Sequence, residues 1–149
     1  MAIAPSKASA LILEDSIAKM RTSQWPIFNI DSEPAQLWTA GGNPNNTLPV
    51  YQLGDGSTNS RSSPVQISGT SWKTFTGGYY HCASLKTDNT LWTWGVNTYG
   101  QIGDNTSVTK SLPIQIGGAV WAKAFAGMWR TVAVKTDGTL WAWGNNPEL

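Results

Sequence analysis

Short runs in which hydrophobic and polar positions alternate with period two recur along most of this chain. Leu91-Trp92-Thr93-Trp94 places two indoles on one face of an extended strand and Leu91 with Thr93 on the other. Leu140-Trp141-Ala142-Trp143 repeats the arrangement. Cys82-Ala83-Ser84-Leu85 and Thr131-Val132-Ala133-Val134 lead into Thr-Asp-Asn-Thr and Thr-Asp-Gly-Thr, and each is followed by a Leu-Trp strand. Asp-Asn or Asp-Gly between two β-rich runs predicts a hairpin, because such a turn requires positive φ at its centre. Large aromatics at alternate positions suit packing between stacked sheets, where each ring buries roughly 150–250 Å².

The strands belong to a repeat. Leu-Trp-x-x-Gly occurs at Leu37–Gly41, Leu91–Gly95 and Leu140–Gly144, at intervals of 54 and 49 residues. At an offset of 49, Leu53-Gly54-Asp55-Gly56 matches Ile102-Gly103-Asp104-Asn105 and Pro64-Val65-Gln66-Ile67 matches Pro113-Ile114-Gln115-Ile116. Lys86-Thr87-Asp88 likewise matches Lys135-Thr136-Asp137. The five extra residues of the first period fall in the Gly-Asn-Pro-rich stretch between Gly41 and Leu53, as an insertion in a surface loop would. A period of this length marks a stacked or radial repeat architecture. The fold class expected is all-β, with two propeller-type blades of about four antiparallel strands each and the first strand of a third over residues 37–149.

Residues 1–36 stand outside the repeat and form an expected N-terminal arm. Pro5 and Ser6 predict a helix start running to about residue 21, with Leu13, Ile17 and Met20 on a narrow apolar seam. A helix of roughly 15 residues is marginal alone and must pack on something. Trp25-Pro26-Ile27-Phe28 continues as an extended connector.

The stretch Gly77-Gly78-Tyr79-Tyr80-His81-Cys82-Ala83-Ser84-Leu85-Lys86-Thr87-Asp88, then Leu91-Trp92-Thr93-Trp94-Gly95, Asn97 and Gly100-Gln101-Ile102-Gly103-Asp104, resembles the regulator of chromosome condensation repeat family. The resemblance covers residues 37–149. In that family seven such repeats usually build a closed seven-bladed propeller, and the family's namesake is a nucleotide-exchange factor for a small GTPase. Three departures stand out. Ala40 replaces the second aromatic of the first Leu-Trp strand, Arg130 replaces the His at 81, and the chain holds few repeats.

Composition narrows the function classes. Net charge is +1 and 13% of residues are charged, about half the usual share, with no basic patch to support nucleic-acid binding. No apolar run reaches the ~18 residues of a membrane helix, so no membrane insertion is expected, and no signal peptide is recognised. The single cysteine, Cys82, excludes an internal disulfide and a multi-cysteine zinc site. His81 is the single histidine, so no His pair can hold a metal. Asp55, Asp88, Asp104 and Asp137 obey the repeat and sit in turns where Asp has a backbone role. The glycine-rich segments have neither dinucleotide nor P-loop spacing. No enzyme activity, cofactor or metal is expected.

Nine tryptophans are a large apolar payload for this length and point to contact between subunits. Two blades do not close a ring, and open sheet edges recruit further strands. Completion by identical chains is therefore expected, a trimer being favoured, or docking on a larger scaffold. The leading expectation is a structural or adhesion protein of a bacteriophage virion, a fibre or decoration component, assembling through its blades and arm. The alternatives are a cellular protein-interaction propeller module, GTPase-regulator type included, located in the cytoplasm, and a carbohydrate-binding adhesin for a host-surface glycan. Candidate assembly or binding residues are Leu13, Ile17, Met20, Trp25, Trp38, Tyr79, Tyr80, Trp129, Trp141 and Trp143.

Overall fold

A computed structural model describes residues 35–42 and 50–146. The helix expected over about 6–21, and with it Leu13, Ile17, Met20 and Trp25, lies outside the described residues. Nine strands are formed among the described residues: β1 (Trp38–Gly41), β2 (Arg61–Gln66), β3 (Thr76–Gly77), β4 (His81–Leu85), β5 (Leu91–Gly95), β6 (Lys110–Gln115), β7 (Trp121–Ala126), β8 (Arg130–Lys135) and β9 (Leu140–Gly144). They make three antiparallel sheets, β1-β2, β3-β4-β5-β6 and β7-β8-β9. The protein is all-β in this region, built of propeller-type blades. One blade is complete with four strands, and the sheets on either side hold two and three.

Local chemistry sets the hairpins. Asn89 (φ 64) and Gly138 (φ 87) supply the positive φ that the two equivalent turns require. In each turn the preceding aspartate accepts from the backbone N–H and hydroxyl of the following threonine, Asp88 from Thr90 and Asp137 from Thr139. The pairing of β4 with β5 then runs in unbroken register from His81↔Gly95 to Leu85↔Leu91.

The core lies between blades, not inside any one sheet. Trp92 and Trp94 face the first sheet, packing with Ile67, Trp72, Cys82 and Leu37. Leu91, Ala83 and Leu85 face the other way and, with Ile102 and Ile116 of their own blade, pack against Trp121 and Ala133 of the following sheet. The two faces expected from the period of two are thus used against two different neighbours.

Two equivalent latches tie the layers. The Trp94 indole N–H donates to the Gln52 carbonyl at 3.1 Å, and the Trp143 indole N–H donates to the Gln101 carbonyl at 3.0 Å. Each indole lies over a left-handed glycine: a Cβ on Gly54 (φ 72) would stand 2.6 Å from Trp94 Nε1, and one on Gly103 (φ 86) would collide with the Trp143 indole. Only glycine tolerates both that φ and that approach. The equivalent position in β1 is Ala40, which is exposed and carries no indole.

Candidate interaction surface

Pairing of His81 with Gly95 brings the β3–β4 loop and the start of the β5–β6 loop to one end of the complete blade. The β7–β8 loop of the next blade reaches the same end, where the Tyr79 N–H donates to the Gly127 carbonyl at 3.3 Å. Four aromatic rings meet there. Tyr79 and Tyr80 have centroids 4.3 Å apart, and Trp129 lies 5.9 Å from Tyr79, 5.4 Å from Tyr80 and 5.4 Å from Tyr99. Tyr79 is 57% and Tyr99 49% exposed, while Tyr80 and Trp129 are half-buried. Hydrogen bonding with Tyr79, then desolvation, raises the Tyr80 phenol above its ordinary range, so it stays protonated near neutrality. Met128, the repeat counterpart of Tyr79, is also exposed.

A buried polar chain supports this surface from below. His81 Nε2 lies 2.9 Å from Thr131 Oγ1, and the Thr131 hydroxyl donates to the Gln101 carbonyl at 2.7 Å. Because that hydroxyl hydrogen is committed to Gln101, its oxygen must accept from His81, which assigns the proton to Nε2. Burial lowers the imidazole pKa to about 4, against an opposing pull from the Arg130 backbone. The neutral ring therefore pins the complete blade to its neighbour directly beneath the cluster.

The β1–β2 and β5–β6 loops are braced alike. Arg61 pairs with Asp55 at 2.6 Å and Lys110 with Asp104 at 2.9 Å. Burial pushes the Asp55 carboxyl up, but bonds from Ser57 and Arg61 outweigh it and leave the pKa lowered. Asp104 is lowered in the same way, burial being outweighed by Lys110, Thr106 and Asn97. In Asp88 and Asp137 the hydroxyl of Thr90 or Thr139 is the main cause of the lowered value. These four carboxylates are engaged in turns and braces. Among the described residues no three His, Cys, Asp or Glu side chains gather as a metal site would require. The Cys82 thiol donates to the Gln52 carbonyl at 3.3 Å, and burial pushes its pKa up to about 12, far from a reactive thiolate.

Of the other candidate residues, Trp38 is exposed on β1 beside Gln66, and Trp143 is engaged in its latch. Trp141 on β9 is exposed, with the Lys135 ammonium 3.9 Å from its ring centroid. Its counterpart Trp92 holds Lys86 at 4.0 Å, a repeated cation–π contact that pattern reading missed. Tyr99 was missed too, and its only signal was being the one aromatic of the β5–β6 loop.

Family comparison agrees with this geometry. The regulator of chromosome condensation (RCC1) repeat matches residues 88–134, and a second form of the same repeat matches residues 72–101. The chain carries RCC1 repeats. Several solved structures are similar to it in fold. Human WBSCR16 is 21% identical, with a TM-score of 0.60, covering 76% of this chain and 31% of its own. Prp20p from Saccharomyces cerevisiae, described with its binding properties to Gsp1p and histones, is 25% identical at a TM-score of 0.54, covering 63% of this chain and 24% of its own. A structure of Kap60 bound to yeast RCC1 (Prp20) gives 23% identity and a TM-score of 0.55, covering 73% of this chain and 25% of that one. The chain thus spans about a quarter to a third of these structures. No curated protein sequence matches it.

Proposed function

We propose that this chain is a non-catalytic protein-interaction module of propeller blades, and that it meets its partner through Tyr79, Tyr80, Tyr99 and Trp129. The aromatic cluster carries the reading. Rings that served packing alone would be covered, whereas here Tyr79 and Tyr99 keep about half their surface open. Protein contact surfaces are enriched in Tyr, Trp and Met, and anchors of this kind supply most of their binding energy. The likeness to Prp20p, described as binding Gsp1p and histones, supports the class of function and does not name the partner. A photo-crosslinking residue in place of Tyr79 should capture one partner in the native setting. The same adduct should vanish in a Trp129→Ala protein that keeps its circular dichroism; an adduct of unchanged yield would place the contact elsewhere.

A bacteriophage virion component, a fibre or decoration protein adhering to a host-surface glycan, is the second reading. It draws on the low charge of the chain, 13% of residues, and on the exposed Tyr79 and Tyr99 rings beside Trp129, since aromatic rings suit a neutral sugar ring. That setting is the virion, whereas a cellular module would work in the cytoplasm. Glycan-array binding that disappears with Trp129→Ala would favour adhesion; a blank array alongside a captured protein would exclude it.

A further inference from the structure

We propose that the aromatic surface of Tyr79, Tyr80, Tyr99 and Trp129 takes a proline-rich segment of a partner protein, bound as an extended polyproline II helix. The proposal rests on the interaction reading above and names the chemistry of its partner.

Charge narrows the ligand first. Three loops meet at the cluster, residues 78–80, 96–109 and 127–129. Among their side chains Asp104 alone is charged, and it is held by Lys110 at 2.9 Å and by Asn97 at 3.0 Å. Arg130, next to Trp129 in sequence, gives its Nε–H to the Asn145 carbonyl at 2.7 Å. A phosphorylated or acidic segment would meet no cation in these loops, and a basic one would meet only a carboxylate that is already shared. The ligand that fits is uncharged.

Hydrogen bonding narrows it further. The rings present the phenol O–H groups of Tyr79, Tyr80 and Tyr99 and the indole N–H of Trp129, which can only donate. The amides of Asn97 and Gln101 are fully buried in the same loop, Asn97 committed to Asp104, Thr106 and Ile102, and Gln101 Oε1 to the Tyr99 N–H. A partner helix or strand arrives with its backbone groups already paired, and a sugar brings hydroxyls that must donate as well as accept. A run of prolines brings carbonyls and no N–H, in a helix without internal hydrogen bonds. Its pyrrolidine rings pack on the electron-rich faces of tyrosine and tryptophan, the mode by which aromatic surfaces dock proline-rich segments.

The surface is also fixed before anything binds. Tyr99 sits in a tight turn closed by the Gly100 N–H on the Asn97 carbonyl at 3.0 Å, with its own N–H on Gln101 Oε1 at 2.9 Å. Ahead of Tyr79, a Cβ on Gly78 would collide with the Gly127 carbonyl and the His81 ring, so the loop lies directly against the next blade. A preformed surface and a stiff extended ligand lose little conformational freedom on meeting, which favours this ligand over a flexible chain.

Isothermal titration calorimetry of the full chain with an oligoproline peptide, a Gly-Ser peptide of equal length and a neutral oligosaccharide tests this. We expect oligoproline to bind and the other two to give no heat. Tyr99→Ala and Trp129→Ala should each weaken oligoproline binding by about tenfold or more with circular dichroism unchanged. Trp38→Ala, which removes an exposed indole on β1, should leave it unchanged. If Trp129→Ala fails to fold, Tyr99→Ala in its loop decides. Absence of oligoproline binding would overturn the proposal, as would binding that survives Tyr99→Ala or an oligosaccharide that binds more tightly. A protein still captured from position 79 by the photo-crosslink would in that case leave the interaction reading standing, whereas loss of both results would remove it as well.

Discussion

Acidifying the protein from about pH 7 to about pH 5 should weaken the fold through a single side chain, the buried His81. Burial holds its folded pKa at about 4, while the unperturbed value is 6.5. Between those values the unfolded chain binds a proton that the folded protein refuses. Stability is therefore complete above the unfolded value and declines as pH falls toward the folded one. At about 1.4 kcal/mol per pKa unit, the loss at about pH 5 is about 2 kcal/mol. The structure supplies the reason. Protonating Nδ1 would bury a charge with no hydrogen-bond partner for that nitrogen, in a ring whose Nε2–H is already given to Thr131. His81 is the sole histidine of the sequence, so no other imidazole contributes. The four turn aspartates, all lowered from 3.8, titrate in a separate and more acidic window. Urea unfolding followed by tryptophan fluorescence at a series of pH values reads the slope. His81→Gln keeps a donor for Thr131 and removes the titration, so its stability should be flat over the same interval. An equal slope in both proteins would refute the reasoning.

Two further changes probe the junctions that position the cluster. Gly103→Ala sets a Cβ against the Trp143 indole at a residue of φ 86 and should destabilise by about 2–4 kcal/mol, read as a lower urea midpoint; a loss below about 1 kcal/mol would mean the latch yields easily. Asn97 is buried, donates to Asp104 at 3.0 Å and the Thr106 carbonyl at 2.8 Å, and accepts from the Ile102 N–H at 2.9 Å. Asn97→Ala should cost about 2–3 kcal/mol and raise hydrogen exchange across residues 97–109, because those buried groups lose their partner together; unchanged exchange there would show that the Lys110–Asp104 pair holds the loop alone.

What could be read directly from the sequence was local. Asp88-Asn89 and Asp137-Gly138 specify their turns through φ and a side-chain bond two residues on, so the hairpins β4–β5 and β8–β9 were legible from a few adjacent residues. Period two also separated the Trp92–Trp94 face from the Leu91–Thr93 face, because alternation is a property of any extended strand. The repeat phrases marked which residues are equivalent, and the weakened copy at Ala40 showed where equivalence fails. Tertiary structure decided the rest. That Trp94 and Trp143 reach back to carbonyls 42 residues earlier depends on how one sheet lies on the next, which no local pattern encodes. Tyr99 joins Tyr79, Tyr80 and Trp129 only because a β5–β6 loop and two hairpin loops end at the same place in space. Turns and strand faces are set by the bonds of neighbouring residues, whereas latches and clusters arise only when distant segments are packed together.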